Sequence, residues 1–312
     1  MIDLFETKNI APMLIKTEVA PFDDPDYIYE LKLDGSRCIA YLDPRGKTQF
    51  YNKRKMLLNP HFPELLNIHQ AVKGRCILDG EIFIMRDGRP NFAEVQKRSL
   101  TTDIHKIKLL ATKRPATFIA YDILYYRGKS IIDLPLIERK RKLETVVKQE
   151  SAQFSYCRYI KEHGTQLFEL TKEKDLEGII AKHVNSKYYF DKRTKDWLKI
   201  KNMLDNDFVI CGCIIKGTYS RKLVLGQYTA DKELVYKGNV AGISKQVLDK
   251  VLALPKAFPP FKDYEKDDVI WVEPALVCKV KFMEYTANGS MRQPAFVALR
   301  DDKLHTDCVE PV

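Results

Sequence analysis

From about residue 207 the texture of the chain changes. Short β-rich runs follow one another there: DFVICGCIIKG, KLVLGQYTA, ELVYKGNVA and VIWVEPALVCKVKFMEY. One helical stretch, SKQVLDKVLAL at about 244–254, interrupts them. Four or five strands around one helix in roughly 100 residues suit a small Greek-key barrel of OB type. Before the seam, near NMLDND at 202–207, strands and helices mix. Strand candidates are 28–33, 36–42, 76–85, 117–125, 178–183 and 197–201. Helix candidates are 62–73, 91–99 behind a capping Asn91, 138–150 and 165–175. The expectation is an α+β chain of two domains: residues 1–203, built of antiparallel sheets and helices, and residues 204–312, the barrel. A length of 312 residues fits that division.

Charge follows the same seam. The net charge is +10, yet residues 204–312 hold 15 basic and 15 acidic side chains. The first 203 residues hold 37 basic and 27 acidic ones, so the whole excess lies there. Such an excess suggests a polyanionic partner. A solvated surface that keeps the chain soluble explains the charge alone equally well. No apolar run reaches membrane-spanning length, and the opening MIDLFETKNIAP lacks the basic start and apolar core of a signal peptide. Seven cysteines, with Cys211 and Cys213 one residue apart, fit neither a zinc ribbon nor a redox CxxC. Free thiols in a reducing interior are expected.

The stretch YELKLDGSRC, residues 29–38, sets Lys32 between Glu30 and Asp34-Gly35, with Arg37 behind. Its flanks read as strands, which places Asp34-Gly35 in a turn between them. A free lysine has a pKa of about 10.4, so only about one in a thousand is neutral near pH 7.4. A nucleophilic lysine therefore needs nearby cations, a metal or desolvation. Flanking carboxylates alone act the other way, and a strand lysine facing water is the plain alternative.

Other parts of the chain supply what is missing. LDGEIF carries Asp79-Gly80-Glu81, and YDIL sets Tyr121 in a strand. LEGIIAKH has Glu177 five residues before Lys182. DWLKIK places Lys199 and Lys201 on one face of a strand, where two ammonium groups call for an anion such as phosphate. Each piece has a bland reading: DGE is a common turn, Tyr121 fits a core, and KIK fits a solvated face. The ordered set is harder to dismiss. GCIIKGT (212–218) has P-loop glycine spacing but Thr where the lysine belongs, so phosphates are not expected in a P-loop.

In this order the motifs resemble those of ATP-dependent DNA ligases of the covalent nucleotidyltransferase superfamily. The chain is particularly similar to short bacterial ligases and to the ligase module of bacterial end-joining enzymes. ELKLDGSR matches the KxDGxR motif; LDGEIF, YDIL, LEGIIAK and WLKIK follow in family order. FAEVQKR (92–98) and LPLIERKRKLE (134–144) also resemble this group, and MRQPAFVALRDDK (291–303) matches the barrel's RxDK motif. The resemblance runs from about residue 10 to 303. One segment departs from it: YNKRKMLLNPHFPEL carries Lys53 where relatives often have the arginine of Ser-Arg-Asn, with Arg54 next. A lysine cannot form the guanidinium fork.

The resemblance implies a three-step reaction. Lys32 attacks the α-phosphate of ATP to give lysyl-AMP and pyrophosphate. AMP passes to the 5′-phosphate of a nick, and the 3′-hydroxyl then displaces AMP. It further implies that Glu30 reads the adenine and Tyr121 stacks on it. Arg37 and Glu81 would hold the ribose or the nick phosphate. Lys182 would lie near the nucleotide, and Lys199 and Lys201 would grip the α-phosphate. Glu177, with Glu81, would hold Mg²⁺ or another divalent metal. Arg300 and Lys303 would orient pyrophosphate. Lys53, Arg54 and Arg98 would contact DNA. Implied too are nicked duplex DNA as substrate, a role in repair, recombination or replication, and a Ku-type end-joining partner. The chain is expected to be a cytoplasmic, nucleoid-associated monomer of a bacterium or phage. It leaves no room for a separate DNA-binding domain, so encircling DNA would take an inserted loop or a partner.

RNA ligases and mRNA guanylyltransferases share the lysine chemistry. The RDDK segment favours a DNA ligase, and whether ATP or GTP labels the protein separates the cases. A non-catalytic DNA-end binding module of the same fold would trap no AMP. A Schiff-base lysine enzyme leaves the downstream lysine pair unexplained.

Overall fold

The computed structural model describes residues 3–217, 220–262, 264 and 268–310. The chain divides into two compact units, Met1–Asn202 and Met203–Val312.

The first unit is α+β and holds two sheets. A five-stranded sheet runs in the order Leu14–Glu18, Arg193–Lys201, Gly178–His183, Tyr27–Leu31, Ile160–Lys161. Its first pair is parallel and the others antiparallel. A seven-stranded sheet runs Thr48–Asn52, Ser36–Leu42, Cys76–Arg86, Ala116–Tyr126, Lys129–Ser130, with Arg89–Pro90 and Phe154–Tyr156 paired off that path. Alternation within the strands builds the layers. Ile39, Tyr41 and Ile77 join Ile28, Leu124 and Trp197 in one core. Cys38, Ala40, Leu42, Leu78, Ile82 and Ile84 turn the other way, into a second core with Val95, Leu143 and Val146. Helix Gly164–Glu173 covers the five-stranded sheet through Phe168, against Tyr29, Ile179, Ala181 and Ile200. Asp79 and Glu81 lie on the same face of the seven-stranded sheet as the first core, because they alternate with Leu78 and Ile82.

Four local expectations change. Residues 62–73 are not one helix but 3₁₀ turns at Asn59–His61, Pro63–Leu65 and Ile68–Ala71. Phe62, Leu65 and Ile68 are buried at intervals of three, the period of a 3₁₀ turn. The helix expected at 138–150 runs Leu136–Val146, entered from Pro135 and left at an extended Val147. Helix Ile104–Lys113 was not foreseen. It buries only Ile107, so its apolar period is faint; its start is set by Asp103, which accepts from the amides of His105 and Lys106. Finally, strand Tyr27–Leu31 ends before Lys32, and it lies in a different sheet from Ser36–Leu42. Asp34-Gly35 therefore crosses between sheets and does not close a hairpin.

The second unit is one six-stranded antiparallel sheet in the order Leu234–Ala241, Ser220–Tyr228, Leu204–Lys216, Val277–Phe282, Ala295–Leu299, with Ile270–Trp271 paired to Leu204–Lys216. Register shifts at Ile210/Gly212, Leu225/Gly226 and Lys279/Val280 let it curl into the OB-type barrel. Helix Lys245–Leu252, capped by Ser244, packs Leu248 and Val251 into the barrel core. Residues 212–216 of the P-loop-like segment are strand; residue 218 lies outside the described residues. All seven cysteines are free and buried.

Candidate active site

Lys32 stands where the chain leaves the five-stranded sheet. Its amide donates to the Gly178 carbonyl (2.8 Å), one step beyond the ladder that pairs Glu30 with Ile180. Gly35 then passes directly against the seven-stranded sheet. A Cβ there would lie 2.3 Å from the Ile82 carbonyl oxygen, so only glycine fits. Lys32 Nζ meets Glu177 Oε1 at 2.5 Å, with the two side chains 21% and 5% exposed. The lysine is thus reachable while its carboxylate partner is nearly sealed.

The seven-stranded sheet supplies the facing wall. Arg37 pairs across the ladder with Glu81, and Ile39 with Asp79. Arg37 forks onto Asp79, with Nε–Oδ1 at 3.0 Å and Nη2–Oδ2 at 2.6 Å. Tyr188 donates to the same carboxylate at 2.7 Å. Asp79 is fully buried and fixes the guanidinium in place. Burial pushes the Glu81 carboxyl up to about 8; Lys32 and Arg37 oppose the shift, and Glu177 and Asp79 add to it.

Tyr121 owes its aim to a bulge. Asp79 pairs with Asp122 but Gly80 pairs with Ala120, so Tyr121 is the extra residue. The Arg37 guanidinium lies 5.5 Å from its ring centroid and the Lys182 ammonium 4.5 Å. Behind the ring, Glu30 is 2% exposed and held on both oxygens: Lys140 at 2.6 Å on Oε1 and Lys182 at 2.7 Å on Oε2. Burial alone would raise the Glu30 pKa, but the two lysines hold it below the usual carboxylate value. Lys140 also donates to the carbonyls of Tyr121 (3.2 Å) and Cys157 (3.0 Å), tying the helix Leu136–Val146 to the bulge. Arg139, next to it, is fully buried on Asp122, with Nε–Oδ1 at 2.9 Å and Nη2–Oδ2 at 2.8 Å.

Lys199 and Lys201 share a face of Arg193–Lys201, as strand spacing requires. Lys201 reaches Glu18 at 3.1 Å. The Lys199 pKa is lowered by burial and by Lys201, against the pull of Glu18, with Lys32 and Arg193 lowering it further. Lys32, Lys199 and Lys201 therefore form one positive cluster.

Among the described residues no group of three or more His, Cys, Asp or Glu side chains could hold a metal ion. Glu81 and Glu177, which interact with each other and with Lys32, offer two carboxylates. That set suits Mg²⁺, which is bound by one or two carboxylates with substrate phosphates and water completing its shell.

The expected DNA contact at Arg98 is corrected. Arg98 is 1% exposed, with its guanidinium on Glu64 (3.0 Å) and the Arg114 carbonyl (2.9 Å), so it braces helix Phe92–Leu100 from inside. Lys53 and Arg54 are exposed on a turn built by Asn52, whose side chain accepts from the amides of Arg54 and Met56. In the second unit, Arg300 and Lys303 converge on Asp207.

Asp79, Lys140 and Tyr188 were given no role by sequence reasoning. Strand alternation in LDGEIF puts Asp79 on the face of Glu81 and was a usable signal. Nothing local marks Lys140 as a partner of Glu30.

Comparison with known proteins places these residues in context. The family model for the ATP dependent DNA ligase domain matches residues 10–201, and that for the ATP dependent DNA ligase C terminal region matches residues 216–303. The SPbeta prophage-derived DNA ligase-like protein LigB of Bacillus subtilis is 29% identical over 93% of this chain and 99% of its own length. The multifunctional non-homologous end joining protein LigD of Pseudomonas aeruginosa is 30% identical over 94% of this chain, which spans 36% of that protein. The fold is shared with mycobacterial DNA ligase D complexed with ATP and MES: TM-score 0.57, 24% identity, covering 97% of this chain and 99% of that one.

Proposed function

We propose the following residue roles for this chain, which belongs to the ATP-dependent DNA ligase family and uses ATP to seal nicks in duplex DNA through a lysyl-AMP intermediate. Lys32 is the nucleophile. Its Nζ forms a bond to the α-phosphorus of ATP while the bond to pyrophosphate breaks. The observation that carries this is the clustering of Lys32 with Lys199 and Lys201 at the crossing beside Glu177. Glu177 holds the Lys32 side chain in an ion pair at the crossing.

Each step is an in-line displacement at phosphorus, so positioning and charge neutralisation do most of the catalytic work. Lys199 and Lys201 hold the α-phosphate. Tyr121, aimed by its bulge and stiffened from behind by Lys140, stacks on the adenine. Glu30, expected to read the adenine, has both oxygens on Lys140 and Lys182, so its role here is to hold Lys182 beside the Tyr121 ring and the nucleotide. Arg37, held by Asp79, contacts the ribose or the nick phosphate. A divalent cation on Glu81 and Glu177 would neutralise phosphate oxygens and release Lys32 from its ion pair. Arg300 and Lys303 orient the departing pyrophosphate. Lys53 and Arg54, exposed on their turn, meet DNA phosphates.

The test is direct. Incubation of Lys32→Ala with radiolabelled ATP and metal should leave no label on a denaturing gel, whereas the parental protein keeps an acid-labile AMP. Label persisting on the variant would show that another side chain is the attachment point. The end-joining role and a Ku-type partner draw on the LigD relative alone. Stimulation of blunt-end joining by such a partner would support them.

A further inference from the structure

We propose that Asp207 is a positioning residue for the first chemical step: it holds Arg300 and Lys303 as a pair aimed outward for pyrophosphate. The inference rests on the assignment of those two cations to the leaving group. Arg300 Nη1 lies 3.3 Å from both Asp207 oxygens, and Lys303 Nζ lies 2.9 Å from Oδ2. The Asp207 side chain is 11% exposed, against 31% for Arg300 and 28% for Lys303. The carboxylate sits beneath and the charges it gathers face water.

Asp207 is itself held firmly. It lies on Leu204–Lys216 opposite Lys279 of the neighbouring strand Val277–Phe282. Its carbonyl accepts from the side-chain amide of the fully buried Gln227 at 3.0 Å, and Gln227 Oε1 in turn accepts from Tyr285 at 3.3 Å. The Arg300 amide donates to the Val277 carbonyl at 2.9 Å, so the arginine backbone is pinned to the strand adjoining Asp207.

The second acceptor on Arg300 differs in kind. Asp302 takes Nε and Nη2, each at 2.8 Å, but its side chain is 69% exposed. A solvated ion pair is weak, whereas a phosphate accepts the guanidinium fork bidentately. Pyrophosphate can therefore replace Asp302 on the fork while Asp207 keeps the remaining Nη1 and Lys303. Without Asp207, two like charges lose the group that holds them together.

Single-turnover assays on the full chain test this with three variants. Asp207→Asn should slow self-adenylation on the order of 10- to 100-fold, the range for a small misplacement of a charged contact. The loss should fall on the maximal rate more than on the ATP concentration for half-maximal rate. Removal of AMP from Lys32 by added pyrophosphate, the reverse of the same step, should slow in parallel. Sealing of a nick already carrying 5′-AMP should stay near the parental rate, and Asp207→Glu should recover part of the loss. Adenylation by Asp207→Asn at or above the parental rate would overturn the inference. So would equal slowing of both steps, which a merely structural role produces. Lys303→Ala separates the underlying assignment. If it slows self-adenylation and Asp207→Asn does not, only the role of Asp207 falls. If Lys303→Ala leaves self-adenylation untouched, the pyrophosphate assignment falls and this inference with it.

Discussion

Glu81 faces Lys32 with a carboxyl pushed up to about 8 by burial, against the pull of Lys32 and Arg37. An unfolded glutamate titrates near 4.3. Between those values the folded chain binds a proton that the unfolded chain has lost. Stability from this group is therefore complete below the unfolded pKa and is lost as pH rises through about 8. Glu81→Gln keeps the shape of the neutral form and removes the titration. In metal-free buffer its melting temperature should draw ahead of the parental value as pH rises from about 4.5 and level off above about 8. A gap that stays constant with pH, or closes, would show that Glu81 is ionised throughout. Arg98 teaches a different lesson at this scale. An arginine in a basic first unit reads as a DNA contact, yet its guanidinium is spent on Glu64 and a carbonyl inside the fold.

Two backbone features place the reactive groups. The bulge between Asp79/Gly80 and Ala120/Asp122 turns Tyr121 out of its strand's alternation. The crossing at Gly35 leads from the end of strand Tyr27–Leu31, just past which Lys32 stands, directly onto strand Cys76–Arg86 of the other sheet. Gly35→Ala sets a Cβ 2.3 Å from the Ile82 carbonyl oxygen, so the crossing must move away from Cys76–Arg86. Overpacking of this kind costs about 1–3 kcal/mol. The larger effect should be chemical. A displaced Lys32 should adenylate on the order of 10²-fold more slowly even where circular dichroism shows the protein folded. A folded Gly35→Ala protein with the parental adenylation rate would mean that the crossing does not position the lysine.

On the scale of the whole chain, the +10 excess confined to residues 1–203 bears on substrate binding. If six or more phosphates are contacted, nick affinity should fall on the order of 10³-fold between 50 and 200 mM salt. Most of that dependence should belong to the first unit, since residues 204–312 are neutral overall. Titration of labelled nicked duplex across salt concentrations measures the slope. A flat response, or equally strong binding by residues 204–312 alone, would contradict it.

The sequence by itself determined what depends on short range. Strand alternation put Lys199 and Lys201 on one face, the Asn91 cap started helix Phe92–Leu100, and the β-rich runs after 207 formed the barrel sheet. Motif order identified the chemistry. Tertiary structure decided what depends on partners distant in the chain. Tyr27–Leu31 and Ser36–Leu42 are neighbours in sequence, yet each finds its ladder elsewhere, the first with Gly178–His183 and the second with Cys76–Arg86. Glu30 is locked by Lys140 and Lys182, Arg98 is buried on Glu64, and Arg300 and Lys303 are gathered by Asp207. A buried ion needs a counter-ion and hydrogen bonds, and which residue supplies them follows from how the sheets and helices pack. Local pattern names the charged residues. Packing settles which of them are left to act.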